Sequence, residues 1–120
     1  MFILGIIEES LESSEVLAGI KSCLYSQRKE HVPTDENPLW HVNEYHVSDR
    51  EIERLLPILS NNVKHNYYIH AFNDEILIVI LKNNFFRISR EKDCTWDKMI
   101  EYGVSAGVER HYLESVPLSV

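Results

Sequence analysis

The sequence predicts an α+β fold: a mixed, mainly antiparallel sheet with a central three-stranded meander, in the order β-α-β-α-β-β-β-α, with helices mainly on one face. Three β-type segments follow one another between residues 67 and 89, separated only by Asn73–Asp74 and Asn83–Asn84, pairs that suit two-residue turns. Segments with helical spacing precede and follow this meander. A chain of 120 residues is the size of one domain, residues 1–120, and folding should bury roughly two thirds of its surface.

The first 47 residues are predicted to contain two strands, a helix and a loop. The continuous apolar run MFILGII is typical of a strand covered on both faces. A serine cap at Ser13 or Ser14 precedes apolar residues at helical spacing: Val16, Leu17, Ile20 and Leu24. The segment QRKEHVPTDENP has two prolines and no period, so it predicts a surface loop. The segment LWHVNEYHV predicts the second strand.

Two further helices are predicted. Ser48 and Glu51 have the spacing of a capping box and begin the second helix, in which Pro57 should cause a kink or an end. Its buried stripe is Ile52, Leu55, Leu56 and Leu59. Thr95 caps the third helix, which ends at Gly107, and a short tail with a turn and an extended segment follows. The buried stripe of the third helix is Trp96, Met99, Ile100 and Gly103.

The meander is predicted to span residues 67–72, 75–82 and 85–89, with His70 facing Leu77 and Leu81 facing Phe86. One face would then carry Tyr68, His70, Phe72, Leu77, Val79, Leu81, Phe86 and Ile88. The other would carry Tyr67, Ile69, Ala71, Ile76, Ile78, Ile80, Phe85 and Arg87. Because both faces are apolar, we expect helices or another subunit to cover the middle strand on both sides.

Composition and charge exclude several classes of partner. Nineteen acidic residues against twelve Lys and Arg give a net charge of −7, which disfavours nucleic acid and anionic membranes as partners. The apolar run FILGII is too short for a membrane span and has no basic leader, so we expect a soluble, cytoplasmic protein. Cys23 and Cys94 have no CxxC partner, and we expect both to be reduced and structural.

The chain has six histidines, a residue type that can bind metals or act in catalysis. His46 and Glu44 alternate onto one strand face, and together with His70 they would form a set used by many zinc and iron sites. No HxH, HxxxH or HExxH spacing is present, so the sequence predicts no metal and no cofactor. No catalytic residue is predicted either, since Cys94 has no identifiable base.

His70 has two further interpretations, which the sequence leaves open. It can be a neutral core imidazole between Tyr68 and Phe72, with its nitrogens bonded to Glu44 or to a backbone carbonyl. Alternatively, it can lie in a small-molecule pocket in which Tyr68, His70 and Trp40 supply the polar contacts.

Four segments together resemble a family of small uncharacterised prokaryotic proteins. They are GIIEES, WHVNEYHVSDREIERL, YYIHAFNDEILIVILKNNFFRIS, and a tryptophan followed by MIEYGVSAGVERHYLE. The resemblance covers nearly the whole chain and implies a stand-alone domain without an assigned activity. No catalytic residue is carried over from it.

We therefore expect a non-catalytic binding or interaction domain that uses its sheet and an aromatic and histidine pocket. The expected ligand-binding residues are His70, Tyr68, Trp40, Glu44 and His46. A small molecule, a protein partner and self-association as a homodimer are the expected alternatives for what binds. The alternative function is a small metal-dependent or histidine-centred enzyme built on His70, His46 and Glu44, and the sequence leaves open whether any catalysis occurs.

Overall fold

The computed structural model describes residues 1–35 and 38–120 and contains one six-stranded sheet with the order β2-β3-β1-β4-β5-β6. The strands are β1 (Phe2–Ile7), β2 (Leu24–His31), β3 (Leu39–Val47), β4 (Ile69–Phe72), β5 (Ile76–Leu81) and β6 (Asn84–Ser89). The helices are α1 (Glu15–Ala18), α2 (Asp49–Asn62), α3 (Trp96–Ser105) and α4 (Arg110–Leu113). The α+β class is confirmed, and every pair of neighbouring strands is antiparallel.

Helices cover both faces of the sheet, whereas the sequence predicted them mainly on one. The face that packs against α2 is called the α2 face, and the opposite one the α3 face. The core on the α2 face includes Leu4, Ile6, Tyr45, Ile69, Ile78 and Ile80 of the sheet with Ile52, Leu55, Leu56 and Leu59 of α2. The core on the α3 face joins Phe72, Leu77, Val79, Leu81 and Ile88 to Trp96, Met99, Ile100 and Leu113. Helices α2 and α3 therefore bury their predicted stripes, and Leu77 to Leu81 of β5 are buried on both sides within one chain.

The two faces of the meander are those predicted, but each turn is displaced. His70 pairs with Val79 instead of Leu77, and Leu81 pairs with Asn84 instead of Phe86. Each pairing moves by two residues, and because the side-chain period of a strand is two, no residue changes face. The second turn is formed by Lys82 and Asn83, with Asn83 at φ +66°.

The segment between β1 and β3 is where the sequence prediction was wrong. The predicted first helix is reduced to the single turn of α1 and a 3₁₀ turn at Lys21–Cys23. Leu24, assigned to that helix, begins β2, and β2 occupies the first part of the predicted loop, whose residues 36 and 37 lie outside the described residues. All eight residues of β2 are exposed, so this edge strand has no apolar alternation that could have predicted it.

The two long helices have the predicted buried stripes, but the Thr95 side chain does not cap α3, because its hydroxyl accepts from the Ser89 backbone N–H instead. Ser48 accepts a hydrogen bond from the Glu51 backbone N–H at 3.1 Å, as a cap should, but α2 continues through Pro57 to Asn62. Helix α3 ends before Gly107, which has φ +104°, a left-handed conformation typical of a glycine C-terminal to a helix. Over residues 1–35 and 38–120, no helix has both the length and the apolar character needed to cross a membrane.

Candidate functional site

A cavity of about 260 Å³ lies on the α3 face, between the sheet and the C-terminal segment. Its floor is formed by residues that share this face on neighbouring strands, including Gly5 of β1, Val42 of β3 and His70 of β4. Tyr112 of α4 and the segment Pro117–Val120 form the wall. Strands of the sheet and the C-terminal part of the chain therefore both contribute to the cavity.

Three of the five residues predicted to bind a ligand line this cavity: Trp40, Tyr68 and His70. Trp40 stands edge-on to the ring of Tyr67, which also lines the cavity, with 6.1 Å between ring centroids and an interplanar angle of 68°. The carboxylate of Asp35 accepts hydrogen bonds from the Trp40 indole N–H at 3.2 Å and from the Tyr67 hydroxyl. Asp35 thus fixes two aromatic walls through their polar atoms.

His70 is a core residue that also reaches the cavity. Only 9% of it is exposed, and its ring stacks on Phe72 at 5.9 Å and stands edge-on to Tyr68 at 6.1 Å. Its Nε2 lies 3.0 Å from the carbonyl oxygen of Ser119. Because a carbonyl only accepts, Nε2 carries the proton, and in the neutral ring Nδ1 is then an acceptor. Burial lowers the pKa of His70, although the bond to Ser119 opposes this shift, so the neutral form is favoured.

The structure thus combines both interpretations of His70. The bond to the Ser119 backbone carbonyl is the contact expected of a core imidazole, and Glu44 does not supply it. Nδ1 has no hydrogen-bond partner in the described part of the chain, where every fully buried side-chain nitrogen and oxygen has one. Nδ1 lies 3.2 Å from the point where a Cβ atom on Gly5 would stand, so it is beside another residue that lines the cavity.

Tyr68 is the second polar group with an unused hydrogen bond. Within residues 1–35 and 38–120, its hydroxyl forms no hydrogen bond, although the side chain is half-buried on the cavity wall. Burial, with the nearby Tyr112, raises the pKa of Tyr68 to about 12. The hydroxyl is therefore protonated at any physiological pH and can donate a hydrogen bond.

Charged residues lie at the rim of the cavity and are already engaged. Arg28 Nη1 donates to the main-chain oxygen of Val120 at 2.7 Å, and its Nη2 lies 3.6 Å from Glu30. Asp35 is occupied by Trp40 and Tyr67. Arg28 and Glu30 offset each other, so this pair adds no net charge at the opening.

Glu44 and His46, the other two predicted residues, do not join the cavity. His46 Nε2 lies 2.6 Å from Glu44, and the ring of Tyr25 stacks on His46 at 4.1 Å. Glu44 and His70 are both register partners of Gly5, which places them two strands apart, roughly 10 Å between backbones. The predicted set of His46, Glu44 and His70 does not converge, and the described residues contain no group of three or more His, Cys, Asp or Glu able to hold a metal.

A second cavity, of about 280 Å³, lies beside Asn43 and Tyr45 on the α2 face. Its central carboxylate, Glu8, accepts hydrogen bonds from Gln27 and Asn43 at 2.8 Å each. Asn43 also donates to the Tyr45 hydroxyl. These polar groups are bonded to one another, in contrast to His70 Nδ1 and Tyr68 in the first cavity.

Sequence reasoning missed the residues that close the first cavity. Tyr112 and Ser119 come from the C-terminal segment, and Arg28 comes from the edge strand that was predicted as a loop. Their places depend on contacts between distant segments, for which local spacing carries no signal. No family model, curated protein or solved structure matches this chain. The resemblance to a family of small prokaryotic proteins stays a prediction.

Proposed function

We propose that the protein is a non-catalytic binding domain that takes a small molecule into the cavity beside His70. The observation that carries this proposal is the combination of aromatic walls with two unused polar groups. The space is lined by four aromatic side chains: Trp40, Tyr67, Tyr68 and Tyr112. His70 Nδ1 can accept a hydrogen bond from a ligand, and the Tyr68 hydroxyl can donate one. Small-molecule sites typically combine apolar and aromatic walls with a few such groups.

The rigidity of the cavity supports the same function. Its floor belongs to neighbouring strands of one sheet, and Asp35 holds Trp40 and Tyr67 while Ser119 holds His70. A site whose side chains are already oriented loses little conformational entropy when a ligand binds.

The alternative, a small metal-dependent or histidine-centred enzyme, lacks comparable support. It depended on His46 and Glu44 acting together with His70, but these two bond to each other outside the cavity. The hypothesis of self-association depended on an uncovered face of the meander. Both faces of β5 are covered within one chain, which removes the reason for expecting self-association. Self-association stays a prediction.

Indole is a suitable probe for the proposed site, since it is planar, neutral and small. Titration of indole into ¹⁵N-labelled protein should produce saturable shifts of the backbone amides of Tyr68, His70 and Tyr112. Native mass spectrometry of the protein purified from cells, compared with its denatured mass, would detect a molecule that is already bound.

The matched variants are Val42→Trp and Val104→Trp. Val42 is 7% exposed and lies on the cavity floor, so a tryptophan there should fill the cavity and abolish indole binding. Val104 is 43% exposed on α3, and its substitution should leave binding unchanged. Equal binding by wild type and Val42→Trp, or shifts confined to the cavity beside Glu8, would contradict the proposal.

A further inference from the structure

We infer that the cavity selects a neutral, planar molecule that donates a hydrogen bond to His70 Nδ1 and accepts one from the Tyr68 hydroxyl. This inference rests on the proposed function and adds the chemistry of the ligand. It is carried by the volume and walls of the cavity, by the tautomer of His70, and by the pairing of the charged groups at the rim.

Volume and wall composition indicate a small planar ligand. The cavity of about 260 Å³ is below the range of roughly 300–1,000 Å³ that is typical of drug-sized pockets. Its aromatic side chains present both ring faces and ring edges, as Trp40 and Tyr67 do at 68° to each other. Aromatic rings pack against such walls in offset-stacked or edge-to-face arrangements.

The tautomer of His70 specifies a donor on the ligand. Nε2 is committed to Ser119, so the only remaining polar atom of the ring is Nδ1, which accepts. His70 is nine-tenths buried, so a ligand that covered Nδ1 without donating to it would leave a desolvated acceptor. A ligand with an N–H or O–H at this point avoids that cost.

Tyr68 specifies an acceptor on the same ligand. Tyr68 immediately precedes β4, its ring lies 6.1 Å from that of His70, and both residues line the same cavity. The Tyr68 hydroxyl has no acceptor among residues 1–35 and 38–120 and must keep its proton, as its raised pKa shows. A carbonyl oxygen or a ring nitrogen on the ligand would satisfy it.

The charge pattern favours a neutral ligand over an ion. Arg28 is engaged by Val120 and faces Glu30, and Asp35 is engaged by Trp40 and Tyr67. An anionic ligand would need Arg28 released from Val120 and would lie near the carboxylates of Glu30 and Asp35. A cationic ligand would have to share these carboxylates with the donors that they already bind. The interior offers a neutral imidazole and a neutral phenol, which solvate neither sign of charge fully.

Benzamide, benzoate and benzamidine test the neutral donor-and-acceptor ligand, because they share one shape but only benzamide is neutral and has both a donor and an acceptor. With ¹⁵N-labelled protein at pH 7.5, benzamide should bind at least tenfold more tightly than either ion. Tighter or equal binding of benzoate or benzamidine would overturn the inference.

Indole and 1-methylindole test the donor, because methylation removes only the N–H. Indole should bind roughly tenfold more tightly, as expected for one hydrogen bond to a buried acceptor. Indole should also shift the ¹⁵N resonance of His70 Nδ1, which 1-methylindole should not do. Equal affinities with an unmoved Nδ1 resonance would overturn the inference.

Tyr68→Phe tests the acceptor by removing one hydroxyl, and Tyr102→Phe is its matched control. Tyr68→Phe should weaken benzamide binding roughly fivefold, the worth of one ordinary hydrogen bond. Tyr102 donates to the carbonyl of Lys82 away from the cavity, and its substitution should leave binding unchanged. An unchanged affinity in Tyr68→Phe would overturn the inference.

The two proposals fail in different ways. If indole and 1-methylindole both bind in the cavity with equal affinity, the cavity is a binding site but the hydrogen-bond assignment is wrong. If none of the five probes shifts any cavity amide at saturating concentration, both proposals are wrong.

Discussion

The ring of His70 lies directly against the backbone of Gly5, its register partner on β1, where any added side chain would force neighbouring atoms to move. A Cβ atom added to Gly5 would lie 2.7 Å from His70 Cε1 and 3.0 Å from Val120 Cγ2. Gly5 therefore allows a strand, a buried imidazole and the C-terminal segment to meet at the floor of the cavity.

Gly5→Ala should lower the free energy of unfolding by roughly 1–3 kcal/mol, because His70 and Val120 would have to move to admit one methyl group. Gly19→Ala is the control, since the nearest atom to its added Cβ is the Val16 carbonyl at 3.4 Å. Urea unfolding of the two variants tests this prediction. Equal stability of Gly5→Ala and Gly19→Ala would contradict it.

The buried His70 should make stability fall on mild acidification. The pKa of His70 is lowered from 6.5 in the folded protein. Just below pH 6.5, His70 is therefore protonated in the unfolded chain but still neutral in the folded one. The unfolded state holds more protons in this window, and the free energy of unfolding should decrease as the pH falls through it. Urea unfolding at several pH values, with NMR titration of the His70 Cε1 proton, measures this. A His70 resonance that titrates at or above pH 6.5 would exclude the account.

Glu9 should affect stability at a lower pH. Burial alone would raise its pKa, but the hydrogen bonds it accepts from the backbone and ring of His41 outweigh burial and lower the pKa. The stabilising contribution of Glu9 is present above its ordinary pKa of 4.5 and is lost as the pH falls through the lowered value. A Glu9→Gln variant should therefore lose part of the decline in stability below pH 4.5, while the decline due to His70 persists.

Asp35→Ala should remove the shared acceptor of Trp40 and Tyr67 and lower the free energy of unfolding by roughly 1–3 kcal/mol. The indole N–H resonance of Trp40 should shift. The indole of Trp96, which donates to the Ser89 carbonyl at 2.8 Å, serves as an internal control and should not shift. An unmoved Trp40 resonance would count against the role of Asp35.

The elements that sequence predicted well are those whose side chains alternate between core and solvent or between two cores. The second predicted strand has the bounds of β3. In the meander, each residue lies on its predicted face although both turns are displaced, because a shift of two residues keeps every side chain on the same face. The edge strand β2 was missed because it buries no side chain. Alternation of apolar and polar residues predicts a strand only when one face of the strand is buried. An exposed strand that is held by backbone hydrogen bonds has no such alternation.

The candidate site was predictable to a similar degree. Trp40, Tyr68 and His70 were identifiable because aromatic and imidazole groups in apolar strands are chemically conspicuous. Glu44 and His46 were grouped with them because strand alternation places them on one face, yet these two bond to each other and neither lines the cavity. The wall formed by Tyr112 and Ser119 depends on the path of the C-terminal segment, which no local spacing describes.

The most direct test of the central claim is a set of intermolecular nuclear Overhauser effects between indole protons and the side chains of the labelled protein. The account predicts cross-peaks to the rings of Tyr68 and Tyr112 and to the methyl groups of Val42, all on the cavity wall. Cross-peaks confined to Tyr25, which is 67% exposed and lies outside the cavity, would contradict it.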